Sequence, residues 1–402
     1  MTDSKLVMTE YKHGILTFLL ENNRFLDVNF CAGQSDAKIG DIFVAKVSHI
    51  VKNIQAAFIT YQKDKTGYLS LKVSGNPVLL NRTYDGRIIE GDELLVQLEK
   101  EGIRTKEPVF TTNLSLAGRY SVITSSNLTK NVSSKLTKEQ KTILSACIPE
   151  KCPYGVVVRT NAARLIKTGQ LPEITAEINT LCEKMNRILT QGIHRTCFSK
   201  VYEEIPEYIK FIRDENQKEF TSVVTDIEAV YEHVKTYFAE YEPDFLEKLS
   251  LYNDTEYSLS KLYSVETKMK ELLEKKVWLK SGAYLVIEQT EAMYVIDVNS
   301  GKNVSKKKSE EVIYQMNQEA AWEIMRQIRL RNFSGMILID FINMDNKEQE
   351  TKLLNELRIL AQKDTVKTTV VDMTALGIVE ITRKKTKKSL KQQLCIDFLE
   401  SE

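Results

Sequence analysis

At 402 residues the chain is long enough for two to four domains, and 56 lysines plus arginines against 55 aspartates plus glutamates leave a formal net charge of +1. That near balance excludes capture of a nucleic acid by a whole-molecule field, so any such partner must be held by local basic patches. Cys31, Cys147, Cys152, Cys182, Cys197 and Cys395 show no zinc-like or redox-motif spacing, and with no signal peptide or long apolar run the expectation is a reduced, soluble, cytoplasmic protein without a membrane partner.

In chain order, apolar-rich runs at residues 14–20 and 24–28 flank Glu21-Asn22-Asn23, which predicts a hairpin turning at those three residues. From Ile39 onward, dense short strands are predicted at 41–47, 56–61, 67–71 and 92–98, a pattern that suits a small closed barrel. Phe58 and Tyr68 lie on these strands. A lone strand aromatic is more often barrel core, whereas an outward one can stack on a nucleic-acid base for roughly 1–3 kcal/mol. Further on, Thr137-Lys138-Glu139-Gln140 is a capping box that opens a helix. Residues 153–160 predict a strand ending on Arg159 and Thr160, and Ile174, Ile178, Leu181, Met185 and Ile188 mark an amphipathic helix. Residues 205–272 are charged and read as helical scaffold, over 225–241 and then 244–251. His194 and His233 lack the partner spacing of a ligand or a base.

The stretch from Val277 to Lys388 carries the chemistry. Met293-Tyr294-Val295-Ile296-Asp297 and Gly335-Met336-Ile337-Leu338-Ile339-Asp340 predict two buried strands, each with an aspartate near the same end. Between them, Ser309 can cap a helix on which Val312, Met316, Ala320, Ile324 and Ile328 recur every four residues. A further helix is predicted over 347–363 and a strand over 366–371. Two carboxylates side by side repel, and a divalent cation is the usual remedy. Mg²⁺ accepts one or two carboxylates, several waters and phosphate oxygens, which suits phosphodiester chemistry. The alternative is that each aspartate ends its strand by accepting turn or cap hydrogen bonds, and from spacing alone that is the commoner case.

Five collinear segments decide between them. Asp297-Val298-Asn299-Ser300-Gly301, Asn317-Gln318-Glu319-Ala320-Ala321, Arg326-Gln327-Ile328-Arg329-Leu330-Arg331, Ile339-Asp340-Phe341-Ile342 and Val379-Glu380-Ile381-Thr382-Arg383-Lys384-Lys385 resemble the ribonuclease E/G family in order. The approach Thr374-Ala375-Leu376-Gly377-Ile378 resembles its ribonuclease G branch. The resemblance implies a multidomain α/β (α+β) fold. Residues 1–36 with 205–272 would form an RNase H-like subdomain and 37–113 an inserted OB-type RNA-binding barrel. Residues 114–204 would form a sensor of an RNA 5′-monophosphate, 273–390 a deoxyribonuclease-I-like catalytic domain, and 391–402 a tail.

Carried over residue by residue, the resemblance implies that Asp297 and Asp340 hold one Mg²⁺ and that a water on it attacks the scissile phosphate. Asn299 would orient the water or the phosphate, and Arg383 would stabilise charge in the transition state. Gly118, Val122, Arg159 and Thr160 would bind the 5′-phosphate, a guanidinium being suited to bidentate phosphate contact. Phe58, Tyr68 and Lys106 would contact RNA, and Lys306-Lys307-Lys308, Arg326, Arg329, Arg331, Arg383-Lys384-Lys385 and Lys387-Lys388 would supply a basic surface. Two departures stand out. Where the family continues into a Cys-Pro-x-Cys zinc link between subunits, this chain has only Cys395, so zinc is not expected and any homo-oligomer is not expected to share one. Asn343 stands where the family often has aspartate, with Asp345 close by.

The function so implied is a Mg²⁺-dependent endoribonuclease that cuts single-stranded RNA to 5′-phosphate and 3′-hydroxyl ends, in rRNA processing and mRNA turnover. A non-catalytic RNA-binding protein is the alternative.

Overall fold

In the computed structural model the described residues are 4–32, 37–72, 76–102, 106–214, 220–301 and 310–394. Their contacts divide the chain into two units, Met1–Gly33 with Glu207–Glu402, and Gln34–Pro206.

In the unit Gln34–Pro206, the strand Ile42–Val51 pairs on one side with Ala56–Gln62 and on the other with Glu93–Lys100. Lys65–Ser70 and Val109–Thr111 complete the circuit, so five strands close into the expected barrel. Strand alternation fills its interior with Phe43, Ala45, Val47, Ala57, Ile59, Leu69, Val96, Leu98 and Phe110. At the last seam, a Cβ on Gly67 would lie 2.5 Å from the Phe110 ring, which explains the glycine. Ile42, Val44 and Leu95 face out of the barrel and join a second core. That core lies under a four-stranded sheet ordered Lys130–Val132, Gly155–Val158, Ser121–Thr124, Ser115–Ala117. The helix Pro172–Gly192 covers it with Ile174, Ile178, Leu181, Met185 and Ile188, the stripe read from sequence. The capping box also forms, with Thr137 N–H donating to Gln140 Oε1 at 3.0 Å.

The other unit has two sheets. The first is ordered Leu249–Leu251, Ser222–Thr225, Ser4–Tyr11, Gly14–Glu21, Arg24–Ala32. Asn22 and Asn23 have φ of 48° and 60°, the paired left-handed conformation of a two-residue hairpin turn, so Glu21 belongs to the strand. The helix expected from Asp244 is a short 3₁₀ turn, Pro243–Lys248, followed by the strand Leu249–Leu251, which pairs in parallel with Ser222–Thr225. Local charge and propensity are overridden there by distant strand pairing.

The second sheet is ordered Lys276–Trp278, Tyr284–Gln289, Met293–Asn299, Gly335–Asp340, Ile378–Arg383, Thr368–Met373. Met293–Asn299 and Gly335–Asp340 run parallel, linked through the helix Glu310–Leu330 as a strand–helix–strand crossover. That helix buries Met316, Ala320, Ile324 and Ile328, while Val312 is exposed and Ser309 lies outside the described residues. The helix Lys347–Gln362 buries Leu353, Leu354 and Leu357 against the same face. Leu285, Ile287, Ile296, Val298, Ile337, Ile339, Val379 and Ile381 meet both helices, which leaves the alternate residues on the opposite face of the sheet. Among the described residues no helix is long and apolar enough to cross a membrane.

The expected basic surface is largely spent inside this unit. Arg326 donates to Phe25 O at 2.6 Å and Arg329 to Asp27 Oδ2 at 2.7 Å. Arg331, buried, donates to Gln327 Oε1 and Glu274 O, both at 2.6 Å. Lys387 is bonded to Glu207. These side chains brace the helix Glu310–Leu330 and its neighbours, and among the described residues of the runs named above only Lys384 and Lys385 are plainly exposed. Lys306-Lys307-Lys308 lie outside the described residues.

Burial opposes ionisation of Glu207, but the ammonium groups of Lys387 and Lys210 override it and hold its carboxyl at about 2. A folded pKa below the unfolded one stabilises the protein above the unfolded value, and that stability is lost as pH falls through the folded value. Glu207→Gln is therefore expected to lower the thermal midpoint at pH 7 and to flatten its fall between about pH 4.5 and pH 2. Parallel melting curves for the two proteins across that range would contradict the pairing.

Candidate active site

The parallel register pairs Asp297 with Asp340 directly. On Met293–Asn299 the buried residues are Tyr294, Ile296 and Val298, and on Gly335–Asp340 they are Ile337 and Ile339. Asp297 and Asp340 fall on the alternate positions of neighbouring strands, both exposed, on the face turned away from the two helices. Adjacent strands lie about 4.8 Å apart, so the two carboxylates leave the sheet side by side. Asn299, two residues on, shares that face and donates from Nδ2 to Asp297 Oδ2 at 2.7 Å. The bond fixes the carboxylate's orientation and leaves its other oxygen available.

Asn317 is fully buried on the helix Glu310–Leu330. Its Nδ2 donates to Ile342 O at 2.7 Å and its Oδ1 accepts from Ile342 N–H at 3.1 Å. A single amide thus ties down the chain two residues beyond Asp340, a role its place in a matched segment did not reveal. Asn343 follows, exposed, with its Oδ1 3.9 Å from where a Cβ on Gly377 would stand.

Arg383 is not brought to this face. It pairs in register with Gly335 and alternates with Val379 and Ile381, which places it on the helix side of the sheet. There it donates to Asp364 Oδ2 at 2.7 Å, to Asn332 Oδ1 at 2.7 Å and to Phe333 O at 3.0 Å. Burial opposes the Asp364 charge, and the Arg383 guanidinium overrides it, holding the carboxyl below its usual range. The structure thus does not bring Arg383, expected at the transition state, to the aspartate face: its donors go to Asp364, Asn332 Oδ1 and Phe333 O.

The sensor candidates gather in the other unit. Arg159 Nη1 donates to Gly118 O at 2.6 Å, and Thr160 Oγ1 lies 2.9 Å from Ser133 Oγ. Val122 pairs with Val157 on the strand that leads into Arg159. The turn joining Gly118 to Val122 is held by Glu177, whose carboxylate accepts from Arg119 N–H at 2.7 Å, Ser121 N–H at 2.8 Å and Ser121 Oγ at 2.7 Å. A Cβ on Gly118 would stand 2.4 Å from that carboxylate, so glycine is needed for the close approach. Nothing local in the sequence marks Glu177 for this task.

On the barrel, Phe58 and Tyr68 pair across neighbouring strands with ring centroids 6.3 Å apart. Their neighbours Ala57, Ile59 and Leu69 fill the interior, so both aromatics point outward and the core alternative does not apply. Lys106 is exposed. His233, on the helix Glu228–Tyr241, is taken up by Tyr208 Oη, 2.6 Å from its Nδ1.

Fold and site together define a mixed α/β protein with a closed five-stranded barrel and a carboxylate pair on an open sheet face. Residues 115–386 match the ribonuclease E/G family. Ribonuclease G of Escherichia coli (strain K12) is 32% identical over 370 residues, spanning 89% of this chain and 75% of that protein. Ribonuclease G of Haemophilus influenzae is 29% identical over 390 residues, 94% of this chain and 78% of its own length. Ribonuclease E of Synechocystis is 32% identical over 366 residues, 88% of this chain but 53% of its own. The chain belongs to the ribonuclease E/G family.

Gly118→Ala is expected to destabilise the protein by about 1–3 kcal/mol through overpacking against Glu177. An unchanged urea midpoint would show that the turn has room the structure does not give it.

Proposed function

We propose that this chain is a divalent-cation-dependent endoribonuclease acting on single-stranded RNA. The observation that carries the reading is the in-register pair Asp297 and Asp340, exposed on one face of adjacent parallel strands. Two uncovered carboxylates fit a hard cation such as Mg²⁺, which keeps waters and takes phosphate oxygens as further ligands. When bound, such an ion offsets phosphate charge and acidifies a water.

The chain's own residues supply the rest. Asp297 and Asp340 would hold the ion, and Asn299 fixes the orientation of the Asp297 carboxylate. Asn317 holds the segment after Asp340 through both polar groups of Ile342. Water attacks the phosphorus in line, the bond from phosphorus to the 3′ oxygen breaks, and that oxygen takes a proton. The products are a 5′-phosphate and a 3′-hydroxyl. Phe58 and Tyr68 offer outward rings for base stacking with Lys106 as a phosphate contact. Gly118, Val122, Arg159 and Thr160 bind the 5′-monophosphate of the substrate. The substrates are rRNA precursors and mRNA, in the cytoplasm.

Asp297→Asn and Asp340→Asn are each expected to lower kcat on a 5′-monophosphorylated single-stranded RNA by roughly 10³-fold or more. Binding of the same RNA, read by fluorescence anisotropy, should stay within a few-fold. Cleavage retained in both variants contradicts the mechanism, and binding without cleavage by the unaltered protein at saturating Mg²⁺ would point to a non-catalytic RNA-binding protein. Separately, RNA with a 5′-triphosphate should be cut more slowly than its 5′-monophosphate form, and Arg159→Gln should erase the difference. Equal rates on both RNAs would remove the sensor.

A further inference from the structure

The chain has two tryptophans, and one of them stands on the same sheet face as the carboxylate pair. Register runs across three strands: Trp278 opposes Tyr284, and Tyr284 opposes Asn299. The next row reads Lys276, Val286, Asp297, Asp340. Val277 and Leu285, the alternate residues, pack in the core on the helix side, so Trp278, Tyr284 and Lys276 share the uncovered face with Asp297 and Asn299. Strand spacing of about 4.8 Å puts Tyr284 one strand and Trp278 two strands from Asn299.

The construction of this corner is not that of a core. Trp278 is 64% exposed on the edge strand of the sheet. The two rings lie 5.1 Å apart, inclined at 57°. The Lys276 ammonium sits over both, 4.0 Å from the Trp278 centroid and 3.7 Å from that of Tyr284. A cation over an exposed ring is held weakly and is free to exchange its partner. Large rigid aromatics left in water beside a charge are the elements from which single-strand binding sites are made, because every base has a face to stack and every linkage a phosphate to neutralise.

We propose that Trp278 and Tyr284 form a base-stacking subsite for a nucleotide flanking the scissile phosphate of single-stranded RNA, with Lys276 contacting its phosphate. The proposal rests on the endoribonuclease reading above and deepens it: the subsite sets substrate affinity and favours unpaired RNA, since a paired base has no free face to offer. Trp322, 41% exposed, is on the helix Glu310–Leu330 and shares with Lys276 and Trp278 the lining of a cavity beside the edge strand, so its emission is removed before Trp278 is used as a reporter.

Trp322→Phe leaves Trp278 as the sole tryptophan and makes it the reporter. Titrated with a single-stranded oligoribonucleotide in chelator, this protein should lose tryptophan emission in step with binding measured by the anisotropy of the labelled RNA. In the cleavage assay, Trp278→Ala and Tyr284→Ala should each raise KM about five- to a hundredfold with kcat little changed, and Trp278→Phe should restore most of the loss. An abasic nucleotide at one position beside the cut should weaken the unaltered protein equally and add nothing in Trp278→Ala. Unchanged emission while RNA binds, or an unchanged KM in both alanine variants, overturns the subsite. If Asp297→Asn is inactive and Trp278→Ala cleaves like the parent, the subsite fails and the nuclease stands. Quenching by RNA in a protein that never cleaves keeps the subsite and removes the nuclease.

Discussion

The structure turns on one pairing, the parallel register between Met293–Asn299 and Gly335–Asp340. A slip of one residue would send one aspartate to the helix side, where an ionised carboxylate without a partner is expensive. The register is held from behind by Ile296, Ile337 and Ile339, all fully buried beneath the helix Glu310–Leu330. Apolar burial on one face therefore enforces the approach of two like charges on the other. Side by side they repel, a cost that the cation proposed above would relieve. Asn299 and Asn317 hold the pair in place, the first through the Asp297 carboxylate and the second through the backbone after Asp340.

The same unit shows how positive charge can be structural and not catalytic. Arg326 and Arg329 on one helix and Arg331 just past its end each reach a neighbouring segment: Phe25, Asp27 and Glu274. Arg383 does the same for Asp364 and Phe333. A guanidinium with five donors is well suited to this, since it satisfies several carbonyls or carboxylates at once. Among the described residues of this unit, exposed positive charge lies instead at lysines such as Lys276, Lys384 and Lys385.

Much of this was legible in the sequence where the signal is local. The Asn22-Asn23 turn, the Thr137 capping box, the apolar stripe of Pro172–Gly192 and the strand–helix–strand order around Asp297 and Asp340 each follow from short-range rules. The closed barrel followed from the density of short strands, although Val109–Thr111, three residues long, left no periodicity to detect. What escaped depends on distant partners. Leu249–Leu251 is a strand because Ser222–Thr225 offers an edge. Arg383 turns inward because of its parity with Gly335, which no spacing along the chain encodes. Glu177 lies 59 positions from Gly118, and the bond between their elements is visible only once the helix is laid on the sheet. Trp278 and Tyr284 carry no local signal, and only register sets Tyr284 opposite Asn299 with Trp278 one strand further on.

The most direct test of the carboxylate pair is to ask whether it holds a single divalent ion. Mn²⁺, a spectroscopic substitute for Mg²⁺, can be titrated against the protein without RNA and the free ion followed by electron paramagnetic resonance. One tight site per chain, lost in Asp297→Asn and again in Asp340→Asn with the fold intact by circular dichroism, is the predicted result. A site of equal affinity and stoichiometry in all three proteins would contradict the account.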